Sequence, residues 1–303
     1  MKWQNALKDY QLYLKIERGL SKNSIDNYAL DVKKLISFIE TNNINHSPLN
    51  INSEAMQQFI YDVAKQVNAR SQSRLISGLR SFFSYLVFED YRKDNPLELI
   101  ESPKIGRKLP DTLSEKEIDR LINAIDLSQV YNNVNIGQRN KAILETLYGC
   151  GLRVSELINL KISDLFFDEG FIKVTGKGDK QRFVPIVDMT QVYINIYRNE
   201  VRNCIKIKPS FEDTLFLNHN GKQLTRAMIF TIIKQLAEKI GLKKNISPHT
   251  FRHSFATHLL QNNADLRSIQ LMLGHESITT TEIYVHLDKS HLTKVVEKYH
   301  PRK

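Results

Sequence analysis

The sequence has little cysteine and no long apolar run, and both absences narrow its class. Its 303 residues include two cysteines, Cys150 and Cys204, which are too few for a disulfide framework and lack metal-ligand spacing. No apolar run approaches the ~18–20 residues that cross a bilayer. The N-terminus has no apolar signal-peptide segment. We therefore expect a protein of the reducing cytoplasm with no membrane partner.

Signatures of cofactors and metals are missing as well. The sequence has no GxxxxGKS/T phosphate loop and no acidic metal cluster. His249, His253 and His258 make a zinc hydrolase one candidate, because histidines one turn apart can share a metal. There is no HExxH, no nearby cysteine and no clear carboxylate ligand, so we expect neither a cofactor nor a metal.

Positive charge is what the sequence has in excess. The net charge is +10 at pH 7 and the pI is near 9.4, which favours a polyanionic partner, nucleic acid before membrane. Residues 1–105 carry a net +2 and residues 106–303 a net +8. The length fits about two domains, and 41% hydrophobic residues is ordinary for a folded globular protein.

The first part of the chain, residues 1–105, predicts an all-helical domain. Apolar residues recur there at helical spacing in four stripes. The stripes lie within residues 3–14, 25–39, 56–63 and 75–86. On the fourth helix, Arg70 and Arg74 lie one turn apart, off the apolar stripe. Such a face contacts phosphates and bases in DNA-binding proteins, and a solvated helix surface is the alternative.

A stretch that is rich in proline and basic residues follows this helical part. Residues 101–110 contain two prolines, which disfavour a continuous helix. We expect a linker at 106–111. Its neighbourhood holds Lys104, Arg107 and Lys108, which are either solvated or in contact with a phosphate backbone.

The second part, residues 112–303, predicts a mixed, mostly helical domain with small β-hairpins. A capping box at 114–117 marks the start of a helix. Two β segments, 171–175 and 182–186, flank a glycine-rich turn at 176–179. Most of the excess positive charge and all of the candidate chemistry lie in this part.

Two short patterns in the second part place charged side chains where they can act on an anion. Gly151-Leu-Arg153-Val-Ser-Glu156 puts an arginine and a carboxylate on one helix face, where they can form a bidentate pair. Lys177 lies at the tip of the hairpin, where its amine can protonate a leaving oxygen or bind a phosphate. A surface ion pair and a solvated lysine are the alternatives.

Two further patterns place histidines at helix ends. Ser247-Pro248 predicts a helix start, so His249 falls in the first turn, where free N–H groups favour anions. Arg252 follows on the same face. Gly274 ends another helix before His275, and Tyr284 lies nine residues further on. Taken singly, each of these residues also fits an ordinary capping, core or surface position.

In this order, G-L-R-x-S-E, the hairpin lysine, H-x-x-R, L-G-H and the final tyrosine closely resemble the tyrosine recombinases of the phage integrase family. The resemblance extends over nearly the whole chain. The pattern at 19–28 is similar to the family's SAM-like core-binding domain, which implies DNA contacts for Ser21, Lys22 and Asn23. The chain looks most like the bacterial Xer recombinases, and its ending, 299–302, favours their D type.

The resemblance implies a metal- and ATP-independent transesterification at one DNA phosphate. Tyr284 would attack phosphorus and form a 3′-phosphotyrosyl link, which conserves the energy of the phosphodiester bond. Arg153 and Arg252 would neutralise the phosphate and stabilise the transition state. Lys177 would protonate the leaving 5′ oxygen.

Three other residues would support this reaction. The resemblance implies that His249 assists proton transfer with the nucleophile and that His275 binds a non-bridging oxygen. Glu156 would hold the arginines and histidines in place.

The resemblance also implies the architecture and the partners. A mainly α, two-domain, C-shaped clamp would hold a double-stranded recombination site. The chain itself or a paralogous recombinase would complete a cyclic tetramer on two duplexes, with a septal DNA translocase as activator. The implied role is resolution of chromosome dimers at a dif-like site. The alternatives are an integrase or invertase of a mobile element, and a sequence-specific DNA-binding protein without catalysis.

A last apolar stripe lies near the C-terminus. Leu292, Val295, Val296 and Tyr299 recur at helical spacing and predict a terminal helix with one apolar face. Such a helix needs a groove to cover that face. It either folds back on its own domain or, as the resemblance implies, docks into a neighbouring protomer in a ring.

Overall fold

The chain forms two compact units, residues 1–108 and 109–303. The computed structural model describes residues 1–104, 106, 111–132, 134–274 and 289–302. The predicted linker at 106–111 falls largely outside these residues, so its bounds stay a prediction.

Four helices build the described part of the N-terminal unit, because each predicted apolar stripe covers one helix face. They are α1 (Trp3–Ile16), α2 (Lys22–Thr41), α3 (Ser53–Ala64) and α4 (Ala69–Phe88). The apolar faces meet in one core that includes the fully buried Tyr10, Phe82 and Phe83. Full burial of a large apolar side chain stabilises by about 1.5–3 kcal/mol, so this shared core holds the four amphipathic helices together.

The second unit is mostly helical with small antiparallel sheets, so the predicted fold class is confirmed. The α-helices in its described residues are α5 (Glu115–Asn123), α6 (Ile136–Gly149), α7 (Val154–Asn159), α8 (Asp188–Ile196), α9 (Arg226–Lys239), α10 (Pro248–Gln261), α11 (Leu266–Leu273) and α12 (Lys289–Tyr299). Its strands are β1 (Val130–Tyr131), β2 (Val134–Asn135), β3 (Leu165–Phe166), β4 (Phe171–Thr175) and β5 (Gln181–Pro185).

The three-stranded sheet contains the predicted hairpin. Its order is β3-β4-β5, and β4 pairs with β5 so that Ile172 faces Val184 and Thr175 faces Gln181. The short turn Lys177–Asp179 joins these two strands. Side chains alternate across a strand, so every second residue of β5 points towards the core of the unit.

Helix α6 lies in the core of the second unit and ends shortly before the predicted site residue Arg153. Ile143, Leu144 and Leu147 on this helix are fully buried. The chain then turns at Gly151, whose φ is +57°, and a Cβ there would lie 2.5 Å from the Phe255 ring. Only glycine fits such a close approach in a left-handed conformation. The turn that precedes α7 therefore lies against α10.

The C-terminal helix packs on its own unit. Leu292, Val295 and Val296 of α12 belong to the core of residues 109–303, so the fold-back arrangement is the one present in this chain. The tail continues to the fully buried His300, whose ring lies 4.9 Å from that of Tyr148. The predicted apolar stripe is thus covered within the same unit.

His258, one of the three histidines considered as zinc ligands, is packed in the core. The Tyr148 hydroxyl and His258 Nδ1 are 2.8 Å apart, and His258 is buried.

Within the described ranges, no group of three or more His, Cys, Asp or Glu side chains is arranged to hold a metal ion. The same ranges contain no helix that is both long and apolar enough to span a bilayer.

Candidate active site

A buried carboxylate lies at the centre of the predicted site. Glu156 is 2% exposed and accepts hydrogen bonds from two arginines. Its Oε1 is 2.8 Å from Arg153 Nη1 and 2.7 Å from Arg182 Nη1. Its Oε2 is 2.9 Å from Arg182 Nη2 and 3.8 Å from Arg252 Nη1. One negative charge thus holds three positive charges together.

Arg153 was predicted to share a helix face with Glu156, and this detail is wrong. Arg153 is the N-cap of α7 with extended backbone angles, and Glu156 is the third residue of the helix. The carboxylate reaches back to the Arg153 backbone N–H at 2.8 Å, as in a capping box. The Arg153 side chain is 39% exposed and remains accessible to an anion.

Arg182 was not among the predicted site residues. It lies on β5, where it shares a strand face with Val184, and its side chain is 5% exposed. It makes the bidentate pair with Glu156 that was expected of Arg153. The available signal was an arginine at a core-facing position of the strand, since a charge there needs a buried partner.

Arg252 lies on α10, almost completely buried. Its Nη1 donates to the Gly151 carbonyl at 2.8 Å, and its Nη2 donates to the Leu273 carbonyl. The predicted helix start is confirmed, with Ser247 as N-cap and Pro248 as the first helical residue. The helix start at Ser247 and the turn at Gly151 together place Arg252 beside Glu156, the carboxylate that Arg153 also contacts.

The C-terminal end of α11 is the third part of the arginine cluster. Three consecutive carbonyls there accept from the three arginines: Met272 from Arg182 Nε at 2.8 Å, Leu273 from Arg252, and Gly274 from Arg153 Nη2 at 3.1 Å. The last carbonyls of a helix lack partners within it and carry the negative end of its dipole. The guanidiniums supply those partners.

Gly274 allows this close contact. It caps α11 in the left-handed region, with φ of +63° and ψ of +56°. A Cβ at this position would lie 3.1 Å from Arg182 Cδ. Glycine is therefore suited to this position both by its backbone conformation and by the space available.

The environment of the cluster shifts two pKa values. Burial by itself would raise the pKa of Glu156, but the hydrogen bonds and charge of Arg182, followed by the hydrogen bonds of Arg153, outweigh burial and lower the pKa to about 2. Burial, and next the charge of Arg153, lowers the pKa of Arg252 to about 9, which leaves it protonated at neutral pH. Three arginines and one carboxylate carry a net +2, which suits a phosphate.

The structure describes the other predicted catalytic residues to different extents. His249 is exposed in the first turn of α10, as expected. Lys177 begins the turn between β4 and β5, but its side chain is not among the described ones. His275 and Tyr284 lie in the segment 275–288, which falls outside the described residues.

The predicted DNA-contacting residues of the N-terminal unit lie at the surface. Ser21, Lys22 and Asn23 are exposed at the start of α2, and Arg70 is exposed on the first turn of α4. Lys104 is exposed, whereas Arg107 and Lys108 belong to the part of the chain that is not described.

Arg74 has an unforeseen partner. Its guanidinium makes two hydrogen bonds to Asp31, at 2.9 and 2.5 Å, and Asp31 is fully buried. The Arg74 side chain is still 53% exposed. The buried carboxylate thus holds the arginine in one orientation at the surface.

The arginine cluster and the helical N-terminal unit define a class of protein. The phage integrase family matches residues 111–291, and the N-terminal SAM-like domain of phage integrases matches residues 7–90. The chain belongs to this family, the tyrosine recombinases, which are enzymes that cleave and rejoin DNA at specific sites. The resemblance drawn from the motifs is confirmed.

Relatives match nearly the whole chain. It is 42% identical over 298 residues to the tyrosine recombinase XerD of Oceanobacillus iheyensis, covering 98% of each chain. It is 40% identical over 300 residues to XerD of Staphylococcus aureus strain Mu50, covering 99% of each. The structure of XerH recombinase bound to its difH substrate matches with a TM-score of 0.67 and 27% identity, covering 87% of this chain and 77% of that one.

Replacing Glu156 by Gln should lower the free energy of unfolding by about 3–5 kcal/mol at pH 7, because the buried arginines lose their counter-charge. Glu156 has a folded-state pKa of about 2, below its ordinary 4.5. Its contribution is therefore complete above pH 4.5 and is lost as the pH falls towards 2. Urea unfolding of both proteins should show the difference shrinking below pH 4.5.

Glu238→Gln is the control for this measurement. Glu238 pairs with Lys234 at 3.8 Å, and both side chains are more than half exposed. Such surface pairs contribute little to stability. Equal losses for Glu156→Gln and Glu238→Gln would contradict the central position of Glu156.

Proposed function

We propose that this recombinase cleaves DNA through a 3′-phosphotyrosyl intermediate formed by Tyr284. The observation that supports the proposal best is the cluster of Arg153, Arg182 and Arg252 around the buried Glu156. A phosphodiester gains negative charge as the nucleophile attacks. Preorganised guanidiniums stabilise that charge without a metal.

The predicted residues keep the roles that the resemblance implies. Arg153 and Arg252 neutralise the scissile phosphate, and Glu156 holds them in place. Lys177 protonates the departing 5′ oxygen, His249 assists proton transfer at the nucleophile, and His275 binds a non-bridging oxygen. The nearly full-length similarity to XerD proteins supports this assignment.

We further propose that the substrate is a double-stranded chromosomal site of the dif type. The recombinase would resolve chromosome dimers there, in the cytoplasm. Both units would contact the duplex as a clamp, with Ser21, Lys22, Asn23, Arg70 and Arg74 on the N-terminal unit. The 40–42% identity to XerD proteins favours this role over mobile-element integration.

The partners follow from the same proposal. Strand exchange between two duplexes needs two nucleophiles on each, so four protomers act together, either four copies or a mixture with a paralogous recombinase. Head-to-tail contacts close such an assembly into a ring. A septal DNA translocase is the proposed activator.

The test of the proposed function begins with mapping the chromosomal DNA that the protein binds in cells. A single locus near the replication terminus is the expected result. Binding only at the ends of mobile elements would contradict dimer resolution and support an integrase.

The mapped site then serves as a suicide substrate, nicked so that cleavage releases a short fragment and traps the enzyme on DNA. A covalent complex should appear on a denaturing gel. The adduct should map to the tryptic peptide of residues 268–289, which contains one tyrosine, Tyr284. Tight binding without any covalent complex would leave a DNA-binding protein that lacks catalysis.

A further inference from the structure

We propose that Arg182 is a positioning residue for the cleavage step. It donates hydrogen bonds to both Glu156 oxygens and to the C-terminal end of α11. These two sets of contacts together hold Arg153 and Arg252 at the scissile phosphate. This inference rests on the proposed roles of Arg153 and Arg252. It gives a function to a buried cation that the proposed mechanism does not use.

The three arginines share the Glu156 carboxylate unequally. Arg182 supplies one N–H to each carboxylate oxygen, at 2.7 and 2.9 Å. Arg252 stays 3.8 Å from Oε2 and donates to two carbonyls instead. Because Arg182 satisfies the carboxylate, Arg252 is not drawn into a close ion pair with it.

Loss of Arg182 would change this division. Glu156 would keep its charge in a buried place and would need a replacement donor. Arg252 is the nearest buried candidate, and it would move about 1 Å to reach an ordinary hydrogen-bond length of about 2.8 Å. A displacement of about 1 Å at a reacting centre can cost about 10² in rate.

Arg182 also contacts the C-terminal end of α11. Arg182 Nε donates to the Met272 carbonyl, next to the Leu273 and Gly274 carbonyls that hold the other two arginines. A Cβ on Gly274 would touch the Arg182 side chain, so the turn and the arginine are packed together. Arg182 therefore holds in place the backbone segment whose carbonyls accept hydrogen bonds from Arg153 and Arg252.

The hydrogen bond from Arg182 to the Met272 carbonyl joins two segments that are far apart in the sequence. Arg182 is on β5, directly after the turn that begins at Lys177, and its contact at Met272 is 90 residues away in sequence. One side chain thus links the hairpin that carries the proposed general acid to the helix end that precedes His275.

The experiment compares Arg182→Met with the unmodified protein on the mapped nicked site, under single-turnover conditions with saturating enzyme. Methionine replaces the apolar stem of the arginine side chain and lacks the guanidinium and its charge. Cleavage should slow by about 10²-fold, while the Kd for the intact site changes little because Arg182 is buried.

A second substrate separates positioning from general damage. Replacing the scissile phosphate by a neutral methylphosphonate removes the negative charge that Arg153 and Arg252 neutralise. The defect of Arg182→Met should then shrink to less than about 10-fold, since the displaced arginines matter less. A defect of equal size on both substrates would overturn the proposal.

Arg202→Met is the matched control. Arg202 is a buried arginine of the same unit that donates to the Thr214 carbonyl at 3.0 Å and has no contact with Glu156. It should lose similar thermal stability and keep its cleavage rate. If it slows as much as Arg182→Met, loss of any buried arginine is sufficient and the proposal fails.

Arg182→Lys decides the matter if Arg182→Met does not fold. Lysine keeps the charge but has no fork, so it cannot contact both Glu156 oxygens and the Met272 carbonyl together. Slower cleavage that methylphosphonate restores would support the proposal; an unchanged rate would overturn it. A wild-type protein that forms no covalent complex would contradict the proposed function instead.

Discussion

Tyr284→Phe should form no covalent complex with the nicked site, while binding that site as tightly as the unmodified protein. The phenol oxygen is the atom that would bond to phosphorus, and phenylalanine has the same ring without it. Because the change removes one atom and no charge, contacts to the DNA backbone should persist. A denaturing gel measures the complex, and a mobility shift measures binding.

Tyr131→Phe is the control for this pair of measurements. Tyr131 lies in β1 of the same unit and is 51% exposed. It should cleave at the unmodified rate. A covalent complex that survives in Tyr284→Phe would assign the nucleophile to another residue, and the adduct peptide would then show which.

Arg252→Lys should slow single-turnover cleavage by about 10²–10³-fold, the usual loss when one preorganised donor to a transition-state charge is removed. Arg252 donates to the Gly151 and Leu273 carbonyls and lies 3.8 Å from Glu156. Lysine keeps the positive charge but has one nitrogen, so it cannot make these contacts and still reach a phosphate.

Binding of the intact site should change far less than the rate, because the substitution removes no charge from the duplex contacts. Arg202→Lys makes the same chemical change at a buried arginine outside the cluster and should cleave normally. If Arg252→Lys weakens binding and rate equally, Arg252 holds the DNA and does not act selectively on the transition state.

Local patterns were enough to predict most of the elements around the site. The capping box at Ser114, the helix start at Ser247 and the hairpin of β4 and β5 are present where expected. Each of these depends on neighbours within a few residues, through hydrogen bonds that close a short ring or a tight turn. Such interactions can be read without knowing the rest of the fold.

The predicted contact between Arg153 and Glu156 is present, but its geometry differs from the prediction. The two do interact, but Arg153 caps the helix and Arg182 makes the bidentate pair. Spacing in sequence identified two residues that can meet. It could not show that Arg182, on a strand 26 residues away, makes the bidentate pair with Glu156.

Arg74 shows the same limit on the N-terminal unit. Its exposure agrees with the predicted polar face of α4. Its pairing with the buried Asp31 depends on how α2 packs against α4, across 43 residues of chain. A carboxylate beside an apolar stripe was visible in the sequence, but its partner was not.

The sequence by itself determined the helices, the hairpin, the order of the reactive residues and, through that order, the family. Tertiary structure alone decided which three arginines share Glu156 and which three carbonyls of α11 receive them. The physical reason is that a buried charge takes its partner from whatever the packing places within about 3 Å. That neighbour can come from any distance along the chain.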